Sequence, residues 1–217
     1  MEIIYKYFIY FIIYSFIGWC LEVICKFFQY KRYINRGFLI GPICPIYGYG
    51  VLLIIILIGV DTKDILSVFL KSIFVCSILE YFTSYFMEKL FKARWWDYSS
   101  KRFNINGRIC LETMIPFGIL GTSVVYLIHP SIKKFVNLFG SKTIMVVSIT
   151  LFIIYLVDNI ISFNVMSKIK DEIKKQKSDN TELIRKKVMA WLGKHSTLYR
   201  HIKDAYPKFM IYRKLKK

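Results

Sequence analysis

The chain has 217 residues, of which 55% are hydrophobic, and a formal net charge of +18. An apolar excess of that size excludes an ordinary water-soluble domain and makes the bilayer the solvent that the composition fits. The five cysteines, Cys20, Cys25, Cys44, Cys76 and Cys110, lie in or beside apolar segments with no CxxC pair, which argues against a disulfide framework and favours plain buried thiols over a thiolate metal site.

The first apolar stretch, Ile3–Cys25, is long enough to cross a bilayer. It has no small-residue cleavage site and barely any charged leader, so it is expected to be retained as a span. Ser15, Gly18, Glu22 and Cys25 share one of its faces at helical spacing. The second stretch, Gly37–Val60, is long enough but irregular. It opens on "RGFLIGPICPIYGYG", in which Pro42 and Pro45 each remove a backbone donor while Gly37, Gly41, Gly48 and Gly50 admit positive φ and close backbone approach. A regular helix is expected from near Ile46 to Val60, about 22 Å at 1.5 Å per residue and short of a hydrocarbon core of about 30 Å. The chain before it then enters the membrane extended or re-entrant, which is tolerated only where it is buried in protein or lines a wet cavity. Two roles fit such breakers: a binding pocket like those at discontinuous transporter helices, or a packing device in which glycines let helices approach.

The remaining spans are expected at Ile65–Phe91, Ile109–Ile128 and Thr143–Met166. In the third, Cys76, Glu80, Thr83, Ser84 and Met87 share a face; in the fifth, Asp158 and Ser162 lie one turn apart. Lysine and arginine are distributed asymmetrically over the connections, with four between Lys26 and Gly37, six between Lys89 and Arg108, one in "DTKD" and three from His129 to Lys142. The segment after Met166 holds sixteen basic and five acidic residues. The positive-inside rule then puts the amino terminus outside and the tail in the cytoplasm.

The resulting expectation is an all-α polytopic membrane protein of about five transmembrane helices, residues 1–166, with a broken or re-entrant second span, followed by a basic cytoplasmic tail, residues 167–217. In the tail "ELIRKKVMAWLGK" sets Leu183, Ile184, Val188, Trp191 and Leu192 on one stripe with Arg185, Lys186 and Lys187 opposite, which reads as an amphipathic surface helix. Anionic lipid is the expected partner of so much positive charge. Nothing in the chain has the form of a nucleic-acid-binding motif, and none is expected as a partner.

Four of the expected helices carry carboxylates: Glu22, Glu80 with Glu88, Glu112 and Asp158. An ionised carboxylate in hydrocarbon costs about 2.5 to 3.5 kcal/mol on insertion scales, so each should face the bundle interior or water. Glu22 and Glu112 are expected near the inner helix ends, about 6 Å deep, and Glu80 and Asp158 about 13 to 16 Å deep, two acidic layers along one inward-opening cavity. Structural pairing with Arg36, Arg94, Arg108 or a hydroxyl is the competing role, favoured for the shallow pair. The connection "KLFKARWWDYSSKRFNINGRICLE" adds Trp95 and Trp96, read as interface anchors, and a dense set of directional groups in Asp97, Tyr98, Asn104, Asn106 and Arg108. Arg108 begins a helix where the dipole prefers an anion, so it is expected to pair with a carboxylate or bind an anionic group.

The segments "GWCLE" (Gly18–Glu22), "NRGFLIGPICPIYGYG" (Asn35–Gly50), "LEYFTSYFMEKLFKARWWDYS" (Leu79–Ser99) and "FNINGRICLE" (Phe103–Glu112) together resemble the ABC-transporter type IV, CmpB-like family of bacterial membrane proteins. The resemblance implies a multi-spanning transport-related protein of the bacterial cytoplasmic membrane and carries no substrate. With no GxxxxGK[ST] loop in the chain, ATP hydrolysis would belong to a separate subunit. The expected site combines Glu22, Gly41, Pro42, Pro45, Tyr47, Glu80, Trp95, Trp96, Asp97, Tyr98, Asn104, Asn106, Arg108, Glu112 and Asp158, without metal or cofactor. The expected role is a permease or substrate-binding transport component, working as a homodimer or with an ATPase subunit. The alternative is a non-transporting scaffold that holds a cytosolic partner or anionic lipid. An enzyme is not expected, because no GxSxG or HExxH constellation is present and His129, His195 and His201 lie away from the carboxylates.

Overall fold

The computed structural model describes residues 2–59, 62–175, 181–194, 202, 205, 210 and 211. Val60, His195, His201 and most of the tail beyond Lys194 fall outside these residues. Helix α1, Glu2–Tyr30, continues past the expected end at Cys25. The chain is then non-helical over 31–44 until Pro45 opens α2, Pro45–Leu57, with Pro at a first-turn position where its missing N–H costs nothing. Thirteen residues rise only about 20 Å, so α2 is too short to cross by itself. The broken stretch before it is covered by protein: Ile34, Leu39 and Cys44 are buried, and the Cys44 N–H donates to the Ser15 carbonyl of α1 at 2.9 Å. Glycine is what brings α1 and α2 this close, because a Cβ on Gly18 would collide with the Tyr47 ring and one on Gly48 with Ser15 and Phe11.

Helix α3, Ile65–Phe91, starts under an Asp64 cap that accepts the Leu66 N–H at 3.1 Å, and stops at Lys92 in the left-handed region (φ 57°). Helix α4, Leu111–Ser123, passes through a π-turn, Val124–Ile128, into α5, His129–Asn137. The fourth span therefore does not end at Ile128, and His129 is not in a loop. The proline ring of Pro130 would crowd the carbonyl of Tyr126 in a regular helix, and a wider turn at that point lets the helix continue. His129 is buried against α1, hydrogen-bonded to the Tyr14 hydroxyl at 2.9 Å with the Tyr10 ring edge-on.

Helix α6, Ser141–Lys175, is 35 residues long, about 52 Å, and outlasts any hydrocarbon core. Its protruding end receives α7, Thr181–Lys194. Ile184, Val188 and Leu192 are fully buried in a cluster with Val165, Met166, Ile169 and Ile173 of α6 and with Phe91 and Trp95. Most of the stripe expected to lie on a lipid surface is thus covered by protein, with Trp191 half-buried beside it, and burying Ile184, Val188 and Leu192 is worth on the order of 5 kcal/mol before ordering costs. Leu183, Lys186 and Lys187 stay exposed; the Arg185 side chain lies outside the described residues. Two short antiparallel pairs complete the fold: β1, Ala93–Arg94, with β4, Met210–Ile211, and β2, Asn104–Ile105, with β3, Ile109–Cys110. The architecture is all-α and polytopic; among the described residues four helical stretches, Glu2–Tyr30, Ile65–Phe91, Leu111–Asn137 and Ser141–Lys175, are long and apolar enough to cross a membrane, and α2 is a shorter apolar helix.

Candidate functional site

The polar groups gather at the end of the bundle where α1 and α3 finish and α2 and α4 begin. The broken segment is pinned there from three sides. Asp158 of α6 accepts the backbone N–H groups of Ile40 at 3.0 Å and Gly41 at 2.9 Å and the Ser162 hydroxyl at 3.1 Å. Non-helical chain leaves such donors orphaned, and a carboxylate fixed on the neighbouring helix satisfies two at once. On the other side Trp19 Nε1 donates to Asn35 Oδ1 at 2.6 Å, whose amide in turn donates to the Ile40 carbonyl. Glu22 closes the bracket, accepting the Tyr47 hydroxyl at 2.8 Å and Arg36 Nε at 3.4 Å. Arg36 also donates to the Ala205 carbonyl of the tail.

The connection between α3 and α4 forms a second, self-contained lock. Glu88 lies between two guanidiniums, Arg94 at 2.9 Å and Arg108 at 3.0 Å, all three side chains largely buried. Arg94 also reaches Asp97 at 3.2 Å and the Asn106 carbonyl at 3.3 Å, while Arg108 donates to Ser84 and lies over the Tyr81 and Tyr85 rings. Asn106 and Gly107, at φ 53° and 66°, make a tight turn of the kind an Asn-Gly pair favours, with the Arg108 N–H donating to the Ile105 carbonyl at 3.0 Å. Asn104 Oδ1 accepts the Gly107 N–H, and Asn106 donates to the Tyr81 hydroxyl. Trp96 Nε1 donates to the Arg108 carbonyl at 3.0 Å. Burial pushes the Asp97 carboxyl up, but hydrogen bonds from Ser99 and the Arg94 charge outweigh it and hold the group below its ordinary value.

Between bracket and lock lies a cavity of about 180 Å³, adjoined by spaces of about 380 and 620 Å³ that share Glu22 and Tyr47 with it. Its polar lining is Glu22, Arg36, Tyr47, Glu80 and Tyr98; Trp96, Ile54, Phe117 and Leu120 are among its apolar walls. Glu80 is only 7% exposed. Its carboxylate accepts the Tyr98 hydroxyl at 3.3 Å and the Thr113 hydroxyl at 3.5 Å, both long for charge-assisted bonds. Burial foremost, and then the Glu80 charge, push the Tyr98 phenol well above its ordinary value, so it stays a donor.

The expected site is therefore divided. Glu22, Pro45, Tyr47, Glu80, Trp95, Trp96, Tyr98 and Glu112 line the cavity or its adjoining spaces. Gly41 and Asp158 belong to the bracket with Pro42 beside them, and Asp97, Asn104, Asn106 and Arg108 to the lock. The two acidic layers do not form: Glu22 shares the cavity with Glu80, Asp158 is turned onto backbone donors, and Glu112 sits in the first turn of α4 paired with Lys101 at 2.7 Å. Trp95 is no interface anchor, being buried against Phe38 and the α7 cluster. Sequence reasoning left Arg36, Thr113, Phe117 and Leu120 out of the site; Thr113 follows Glu112 directly, and its place in the first turn of α4 is the signal that could have found it.

An all-helical, multi-spanning membrane protein with a broken helix and a polar cavity at one end of the bundle is the class this geometry defines. Residues 9–163 match the family described as "Putative ABC-transporter type IV". The match runs from α1 into α6, beyond the motifs that carry the resemblance, and the chain belongs to that family. No curated protein and no solved structure matches it.

Proposed function

We propose that the chain is the membrane-embedded permease or substrate-binding component of a transporter and that the cavity between α1, α2, α3 and α4 holds the cargo. The observation that carries this reading is Glu80, a buried carboxylate facing a cavity, whose hydrogen-bond partners among the described residues are two neutral hydroxyls. Polar groups at such depth are expensive and mark pathways when no structural counter-charge explains them. The positive-inside rule orients the cavity end and the basic tail toward the cytoplasm, with the amino terminus outside. Cargo then meets the cavity from the inner face, between the bracketed segment and the α3–α4 connection. In this reading the chain has no catalytic role, and a second copy or an ATPase subunit completes the machine.

Gly50 provides a steric test. It lines the cavity, and a Cβ there would meet Leu79 at 3.6 Å and Cys76 at 3.7 Å, ordinary contact distances, so a side chain can start at this position and Gly50→Leu takes up cavity space. Purified protein in nonionic detergent is heated against a panel of metabolites, ions and lipid head groups. A compound that raises the wild-type midpoint by several degrees and leaves Gly50→Leu unmoved supports the cargo site. Equal stabilisation of both proteins puts the ligand elsewhere and overturns it.

The basic tail supports a second reading, a scaffold for anionic lipid or a cytosolic partner, because Lys186 and Lys187 are exposed on α7. Stabilisation confined to anionic lipid, and lost in the Lys186→Glu, Lys187→Glu double variant, would favour that reading.

A further inference from the structure

Among the described residues the buried or half-buried carboxylates of the membrane helices are each compensated, with one exception. Glu22 has Arg36, Glu88 has Arg94 and Arg108, and Asp158 has two backbone N–H groups. Glu80 has two distant hydroxyls. The nearby cations are engaged: Arg36, in the same cavity, holds Glu22 and the Ala205 carbonyl, and Lys101 holds Glu112. Lys26, on the rim of the 620 Å³ space, donates to Gln29 at 2.7 Å.

We propose that the cargo is a small organic ammonium ion whose charged head is held by Glu80 and whose apolar body lies against the cavity's aromatic wall, an inference that rests on reading the cavity as the cargo site. Tyr47, Trp96, Tyr98 and Phe117 line the same space, and ring faces attract an ammonium while the rest of each ring accepts hydrocarbon. A cavity of about 150 Å³ accommodates benzene, so about 180 Å³ admits one ring or a branched chain with a short amine arm. A carboxylate or phosphate head would meet two carboxylates and a guanidinium that is already occupied. With Glu22 already held by Arg36 and Tyr47, a bare hard cation at Glu80 would find one free carboxylate and two hydroxyls, four oxygens at most against its usual shell of six or more.

The test uses three isosteres on the full chain in nonionic detergent: phenethylammonium, phenethyl alcohol and hydrocinnamate, titrated calorimetrically into wild type, Glu80→Gln and Gly50→Leu. Phenethylammonium is expected to bind wild type at least about tenfold tighter than either isostere. Glu80→Gln is expected to lose about tenfold or more, and Gly50→Leu to abolish binding of all three. Alcohol or hydrocinnamate binding as tightly as the amine, blocked by Gly50→Leu, overturns the ammonium assignment and leaves the cavity reading standing. Unchanged amine binding in Glu80→Gln shows that no negative charge at position 80 is needed and overturns it as well. Amine binding that survives Gly50→Leu overturns both, and no binding by any probe overturns the ammonium assignment while the broader panel decides the cavity.

Discussion

Two carboxylates on α3, Glu80 and Glu88, lie eight residues apart and meet opposite fates. Glu88 is clasped by two buried guanidiniums whose own remaining donors go to Asp97, the Asn106 carbonyl and Ser84. Glu80, more deeply buried, faces open space and two neutral hydroxyls. A buried ion pair is stable only when its geometry and remaining hydrogen bonds are complete, and the α3–α4 connection meets that condition at Glu88. The same connection turns Tyr98 toward Glu80 and supplies no charge there. One carboxylate therefore serves the frame, and the other has no charged partner among the described residues, which is what the proposed cargo site rests on.

The largest expected effect is at the closed site. Glu88→Gln removes the charge that two buried guanidiniums share, and stranding buried charges in this way costs about 3–5 kcal/mol. The thermal midpoint of the variant in detergent should fall well below wild type. A midpoint within error of wild type would mean that the lock is not a stability element and would erase half of the contrast.

Asp158 is the next largest. Asp158→Ala orphans the part-buried N–H groups of Ile40 and Gly41, at up to about 1–3 kcal/mol each. The loss should be local as well as global, because Cys44 is buried in the bracketed segment with its N–H on α1. Maleimide labelling mapped by mass spectrometry should find Cys44 protected in wild type and modified several-fold faster in the variant. Unchanged labelling would show that the glycine and tryptophan contacts hold the segment without Asp158.

How much of this was legible in the sequence follows from what each residue pattern encodes. Proline and glycine spacing announced the broken second span, because missing donors and missing Cβ atoms act locally. The partner of Asp158 was not legible, since backbone donors carry no sequence signature, although orphaned N–H groups in a broken span demand an acceptor from somewhere. The apolar stripe of α7 was visible as a stripe, but periodicity does not say whether lipid or protein covers it; the length of α6 decides that. The fourth span was read too short because His129 and Pro130 look like a loop, and a π-turn absorbed the proline. Arg108, expected at a helix start, lies instead in the turn before β3, with α4 beginning only at Leu111, and its anion is Glu88 of the neighbouring helix. Depth counted along separate helices put Asp158 with Glu80, whereas the packing turned Asp158 toward the loop.

A smaller effect separates the rim of the lock from its core. Asp97 has a folded-state pKa below its ordinary value of 3.8, so it stabilises the fold above that value and the contribution fades as pH falls through the folded one. Wild type should therefore lose midpoint more steeply than Asp97→Asn as pH is lowered from about 6 to about 3. Parallel curves would mean that the Ser99 and Arg94 contacts contribute nothing in solution, as many exposed pairs do.

The smallest expected effect is the one that carries most of the contrast. Glu80→Gln keeps size and shape and leaves an amide oxygen to accept from Tyr98 or Thr113, while no guanidinium or backbone donor among those described loses a partner. Removing a charge from a site that lacks a counter-charge relieves desolvation about as much as it weakens two long hydrogen bonds. The unliganded stability should stay within about 1 kcal/mol of wild type, with little shift in thermal midpoint, against the several kcal/mol lost in Glu88→Gln. A loss as large as that of Glu88→Gln would make Glu80 a second structural counter-charge, with its partner inside the chain, and the cavity would then have no vacancy for a cation to fill.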